Sequence, residues 1–158
     1  MTARSGGAEE SERDIFYRWF RYIADAGAAY FQDFSQIPSE RLVVDRAASY
    51  PSILDIFAHA LLAHQNWILY AYRDGDEPPS KATGWTLTET EALAGRVKEI
   101  LWKFLTSLRP ADLHQESTFH WTPGDESTRV PMKVRDMLWH LVEEELPHRG
   151  EINALLWQ

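Results

Sequence analysis

Apolar positions recur along this chain at helical spacing in four stretches, with polar residues filling the positions between. In the first, Phe16, Phe20, Ile23, Gly27, Tyr30 and Phe34 follow one another at alternating steps of four and three. That period puts them on one stripe of an α-helix, which Trp19 and Phe31 broaden. Gly27 in mid-stripe suits a close helix contact or a tolerated small residue. The second stretch begins near Ser52, an N-cap with Asp55 three positions on, a relative of the capping box. Its residues Ile53, Leu54, Ile56, Phe57, Ala60, Leu61, Ala63, Trp67 and Ile68 are apolar over much of the circumference, so it is expected to be the most buried helix, ending near Asp74-Gly75.

The third stretch carries Thr88 and Glu91 as a reciprocal cap, then Leu93, Val97, Ile100, Leu101, Phe104, Leu105 and Leu108. Arg109-Pro110 ends it, because the residue before a proline is disfavoured in the helical region. The fourth runs from about Lys133 to the C-terminus on Val134, Met137, Leu138, Leu141, Val142, Ile152, Leu155 and Leu156. Pro147 lies inside it and removes one backbone hydrogen bond, which predicts a bend.

The connections are of two kinds. Asp76 to Trp85, with Pro78 and Pro79, reads as a loop. From Leu113 to Pro131 the pattern is not helical: residues 117–121 and 128–130 flank a Pro123-Gly124-Asp125 turn, which suits a short hairpin. The prediction is therefore an all-α, four-helix bundle with a short irregular or hairpin insertion before the last helix. Residues 1–11 read as a flexible lead-in and 12–158 as a single helical bundle domain.

Composition narrows the chemistry. The chain has 158 residues, 44% hydrophobic and 13% aromatic, enough for one proper core. No apolar run approaches the roughly 18 to 20 residues that cross a bilayer, so the expectation is a cytoplasmic protein with no membrane partner. A net charge of −8 argues against a nucleic-acid partner, which needs a surplus of Lys and Arg. There are no cysteines, which excludes disulfides, thiolate metal sites and cysteine nucleophiles. Any metal must be held by imidazole and carboxylate.

His140, Glu144 and His148 in the fourth stretch are spaced i, i+4, i+8. Neighbours four apart share a helix face with about 6 Å of rise between them, so either adjacent pair could chelate one ion. The outer pair is about 12 Å apart, too far to share one. Glu144 therefore pairs with His140 or with His148, and a third ligand must come from elsewhere. The second stretch offers His59 and His64, about 140° apart around the axis. His59 lies among Ile56, Phe57, Ala60 and Leu62 and is the better buried candidate, whereas Gln65 and Asn66 follow His64. A histidine on an apolar face is more often a core residue than a ligand, and Glu143-Glu144-Glu145 taken alone reads as a solvated face. Arg149 is expected to pair with a carboxylate, Gly150 to allow close helix packing, and His140 to be a core or outer-shell histidine. Trp67, Trp121 and Trp139 are candidates to wall a pocket, and Asp55 to orient His59.

The stretch His59-Ala60-Leu61-Leu62-Ala63-His64-Gln65-Asn66-Trp67, the ending His148-Arg149-Gly150-Glu151-Ile152 and the aromatic Phe16-Tyr17-Arg18-Trp19-Phe20 resemble the DinB-like superfamily of four-helix bundles. The resemblance spans about residues 12 to 158. It implies a divalent metal held by one histidine of the second helix and two residues four apart near the end of the last, here His59, Glu144 and His148. Where the family usually has histidine, this chain has Glu144, which makes the set two imidazoles and a carboxylate and the ion a weaker Lewis acid.

Three protein ligands leave an open coordination position, so the resemblance implies a metal-dependent enzyme. The type would be a thiol-dependent transferase, using a low-molecular-weight thiol, or a hydrolase. Zinc or nickel is the leading ion, with iron or manganese also suited to this donor set. A non-catalytic, metal-stabilised stress-associated or binding protein is the alternative, and a homodimer is compatible with the family.

Overall fold

The computed structural model describes residues 11–72, 83–120 and 129–158. The expected helix end at Asp74-Gly75, the Pro78-Pro79 loop, Trp121, the Pro123-Gly124-Asp125 turn and all but the last residue of the lead-in lie outside them. Four long helices carry the fold: α1 (Glu12–Phe34), α3 (Ile53–Asn66), α4 (Leu87–Ser107) and α5 (Val134–Leu156). A short helix that the periodicity did not predict, α2 (Ser39–Val43), follows α1 and buries Leu42. Trp67–Tyr72 continues α3 as a π-helical segment. A 3₁₀ turn (Pro110–His114) leads into β1 (Glu116–His120), which pairs antiparallel with β2 (Arg129–Lys133) in the register Phe119↔Val130. The hairpin was legible, and Phe119 anchors it by packing on Trp67 and Tyr72. No helix among the described residues is long and apolar enough to cross a membrane.

The caps explain where the helices start. Ser11 caps α1 and Ser52 caps α3, each accepting from the backbone N–H three residues on. The reciprocal cap of α4 is Thr86 with Glu89, not Thr88 with Glu91. Both fit the same threonine-to-glutamate spacing, and the earlier start buries Thr90, whose hydroxyl donates to the Thr86 carbonyl at 2.8 Å. Asp55 does not orient His59. Its Oδ1 accepts from the N–H groups of Gly84 at 2.7 Å and Trp85 at 3.1 Å, tying the start of α3 to the segment before α4. Gly84 has φ +81° there, a conformation that a side chain would strain.

α1 and α3 both pack between α4 and α5. The core divides into two apolar clusters. One gathers the N-terminal half of α1 (Phe16, Phe20), the C-terminal half of α4 (Leu101, Phe104, Leu105) and the start of α5 (Met137, Leu138, Leu141). The other gathers Phe34, Leu54, Phe57, Leu93, Val97 and Ile152 at the opposite end. Between them α3 and α5 carry histidines and carboxylates facing one another. α5 continues through Pro147 as one helix.

Candidate metal centre

His59 of α3 and Glu144 and His148 of α5 come together between the two clusters. The i, i+4 spacing stacks Glu144 and His148 on one face of α5, and that face meets the flank of α3 bearing His59. Each histidine Nε2 lies 3.2 Å from the same oxygen, Glu144 Oε1. One donor atom from each of the three lies within 4.8 Å of every other. Donors bound tetrahedrally at about 2.0–2.1 Å stand roughly 3.3 Å from one another, so the two nitrogen-to-oxygen separations suit a shared ion.

The protonation states fit as well. Burial pushes Glu144 up, but hydrogen bonding to His148 and His59 outweighs it and holds the carboxyl below its ordinary range. Burial lowers His59, against the opposing pull of Glu144. The set therefore offers a carboxylate and a free-base imidazole. His148 adds a sharper observation: its Nδ1 is buried without a hydrogen-bond partner among the described residues, with Glu151 Oε2 3.9 Å away. A histidine that binds metal through Nε2 carries its proton on Nδ1 and turns it towards a carboxylate. Glu151 is placed for that role. Burial raises its pKa, but hydrogen bonds from Ser49 and the charge of His148 bring it below its ordinary value. Ser49 holds it through its backbone N–H, at 2.8 Å, and through its hydroxyl.

The side chains of His59 and Glu144 are 30% and 29% exposed, and that of His148 13%, so the cluster is reachable from solvent. Tyr50 covers part of it, stacked on His59 with ring centroids 4.2 Å apart and 6.1 Å from His148. Burial, and then the Glu144 charge, raise its hydroxyl above the usual phenol value, so it stays neutral. Sequence reasoning missed Tyr50, Ser49 and the role of Glu151. Ser49 and Tyr50 lie in the turn that enters α3, where Arg46 N–H donates to the Pro51 carbonyl at 2.7 Å and Ala47 takes a positive φ of 52°, whereas Glu151 lies on α5.

Several expectations are corrected. His64, not His59, is the more deeply buried histidine: it is 2% exposed, with Nδ1 3.6 Å from Glu145 Oε1. Glu145 is not solvated either. It is 4% exposed and accepts from Arg149 Nε at 3.2 Å, the carboxylate pairing expected of Arg149. Gly150 packs against nothing, since a Cβ there would meet no atom within 4 Å. A Cβ on Gly27 would touch Phe57 at an ordinary 3.6 Å, so that glycine is tolerated rather than required. His140 packs on Trp67 with ring centroids 4.8 Å apart and is not in the cluster. Trp67 and Trp139 pack on Phe119 and Phe16. Among the described residues, Tyr50 is the aromatic ring stacked on the cluster, and Trp121 lies outside them.

The DinB family model matches residues 11–158. A crystal structure of a DinB-like protein from Bacillus cereus ATCC 10987 superposes with a TM-score of 0.63 at 16% identity, covering 90% of this chain and 89% of that one. At that identity the likeness concerns the fold. No curated protein is detectably similar in sequence.

Proposed function

Because the chain belongs to the DinB family, we propose that His59, Glu144 and His148 bind one divalent ion and leave a coordination position open to a small molecule, making the protein a metal-dependent enzyme. The observation that supports this best is the pair of imidazole nitrogens converging at 3.2 Å on one carboxylate oxygen. Zinc or nickel is the expected ion, and iron or manganese would also suit two nitrogens and a carboxylate. The reaction type is thiol-dependent transfer or hydrolysis, with a low-molecular-weight thiol as the leading small molecule. An ion bound here would act as a Lewis acid and draw the pKa of a bound water or thiol towards neutrality.

The chain's own residues do the rest. Glu144 supplies a negative charge that neutralises part of the ion's, and Glu151 sets the tautomer of His148. Tyr50 fixes the His59 ring by stacking and shields one side of it from water. His64 and His140, the histidines that could have closed the coordination sphere, are engaged by Glu145 and Trp67. That engagement favours an enzyme over a closed, structural centre.

Cobalt(II) substitution tests the open position. The visible spectrum of the cobalt-loaded protein should change on adding glutathione or azide, and His148→Ala should show neither cobalt spectrum nor response. A response to azide alone would leave the hydrolase type. No response to either would contradict an open site.

A further inference from the structure

α1 and α4 do not close fully against each other. Glu91, Ala94, Lys98 and Trp102 follow at steps of three and four along one face of α4, and Ala24, Gly27, Ala28 and Phe31 lie opposite on α1. Between them and α3 is a cavity of about 260 Å³, whose apolar walls Phe20, Phe57 and Leu61 complete. The N-terminal half of α1 packs beside the C-terminal half of α4, so the Lys98 end of the cavity is the one nearer the start of α1. His59, Glu144 and His148 do not line it. A dry cavity of about 150 Å³ is already enough for benzene.

This apolar chamber adjoins a cationic mouth. Lys98, Trp102 and Ala24 also line an open depression of about 450 Å³, together with Tyr17, Arg18, Arg21 and Asp25. Tyr17 and Trp102 stack there, with ring centroids 5.8 Å apart and an angle of 11° between the rings. Three cations thus meet one carboxylate at the mouth, on a chain whose net charge is −8. A lysine stem lies along apolar surface while its ammonium stays in water, which suits Lys98, an exposed residue common to both spaces. The acidic residues of the chamber itself stand apart from that end. Glu91 is two turns from Lys98, about 10 Å along α4, and Glu145 is engaged by Arg149 at 3.2 Å.

We propose that this cavity is a binding site for an amphiphilic monocarboxylate, its apolar tail among Phe20, Phe31, Phe57 and Leu61 and its carboxylate at the mouth beside Lys98 and Arg21. Burial of the tail supplies most of the binding free energy, and the cations decide which end stays outside. An uncharged amphiphile forgoes them, and a cationic one is repelled. Glu91 at the far end disfavours the reversed orientation, and Asp25 with the acidic net charge favours one negative charge over two. The site is independent of the metal reading, because it shares no ligand residue with it.

Calorimetric titration of the full chain with octanoate, below micelle-forming concentrations, and with octan-1-ol as the uncharged analogue tests the assignment. Octanoate should bind about threefold more tightly than the alcohol, within what exposed ion pairs contribute. Lys98→Glu should weaken octanoate about tenfold, since it removes one such pair and sets a like charge in its place, with octan-1-ol unchanged. Ala94→Leu, which fills the chamber, should abolish binding of both; should it fail to fold by circular dichroism, the surface variant Lys98→Glu still decides. Chelator-stripped protein and His148→Ala should bind octanoate as the wild type does. Equal affinity for the two probes, octanoate binding insensitive to Lys98→Glu, or binding that survives in folded Ala94→Leu would overturn the proposal. So would octanoate binding that disappears with the metal.

Discussion

Two histidine–glutamate pairs join α3 to α5, and they differ in what surrounds the carboxylate. Adjacent glutamates on α5 diverge by about 100° and histidines five apart on α3 by about 140°, so the same two helices present one pair to each flank. His64 and Glu145 are sealed at 2% and 4% exposure, and Arg149 takes the carboxylate at 3.2 Å. A guanidinium already in place neutralises the carboxylate charge that a further cation would need. Glu144 meets two imidazoles instead, is partly open to solvent, and has a second carboxylate behind His148. Residue type does not separate a candidate metal centre from an internal ion pair. The neighbouring cation does.

Breaking the sealed pair should have the largest effect. Arg149→Met strands Glu145 and removes the donation to the Ile23 carbonyl at 3.2 Å, so unfolding in urea should show a loss of about 3–5 kcal/mol with the ion still bound by the folded fraction. Exchanging the histidines sharpens the contrast. His59→Ala should lose the ion with stability of the metal-free protein changed by no more than about 1 kcal/mol. His64→Ala should retain the ion and cost about 1–3 kcal/mol through the unmatched groups it leaves. Metal analysis beside a denaturation curve separates the two.

Glu151→Ala acts on the metal side alone. Losing the partner of a ligating histidine typically weakens affinity about 10- to 100-fold, and a competition titration with a chelator would measure it. The smallest effect is on pH dependence. Burial holds His64 below its ordinary 6.5, so below that pH the unfolded chain takes up the proton first and stability falls; above it the contribution is flat. His59, also lowered by burial, adds to the same slope, whereas Glu144 and Glu151, held below 4.5, lose their contributions only at more acid pH. His64→Leu should flatten the decline between pH 6.5 and 4.5 in metal-free protein, read from denaturation midpoints.

The contrast also marks what the sequence could disclose. Four helices and the hairpin followed from periodicity and turn residues, and the Ser52 cap was placed to the residue. The Thr86 cap slipped by two because the same pattern occurs twice. His59, Glu144 and His148 emerged from helical spacing together with a family resemblance; spacing alone left His140 in competition with His148. The burial of Glu145 and the 54% exposure of Leu146 invert what hydrophobicity implies, since the partner that makes Glu145 tolerable inside is Arg149, one turn on, aimed at α1. Tyr50 and Ser49 were not legible: Ser49 reaches Glu151 across 102 positions, carried by a turn with no periodic signature.

The most direct test is the metal content of tag-free protein and of His148→Ala purified beside it, with helix content checked by circular dichroism. One ion per wild-type chain is predicted, with almost none in the variant at unchanged helicity, and retention in a His140→Ala control. Full occupancy in His148→Ala, or no ion in the wild type after exposure to zinc and nickel, would contradict the convergence of His59, Glu144 and His148 on a metal.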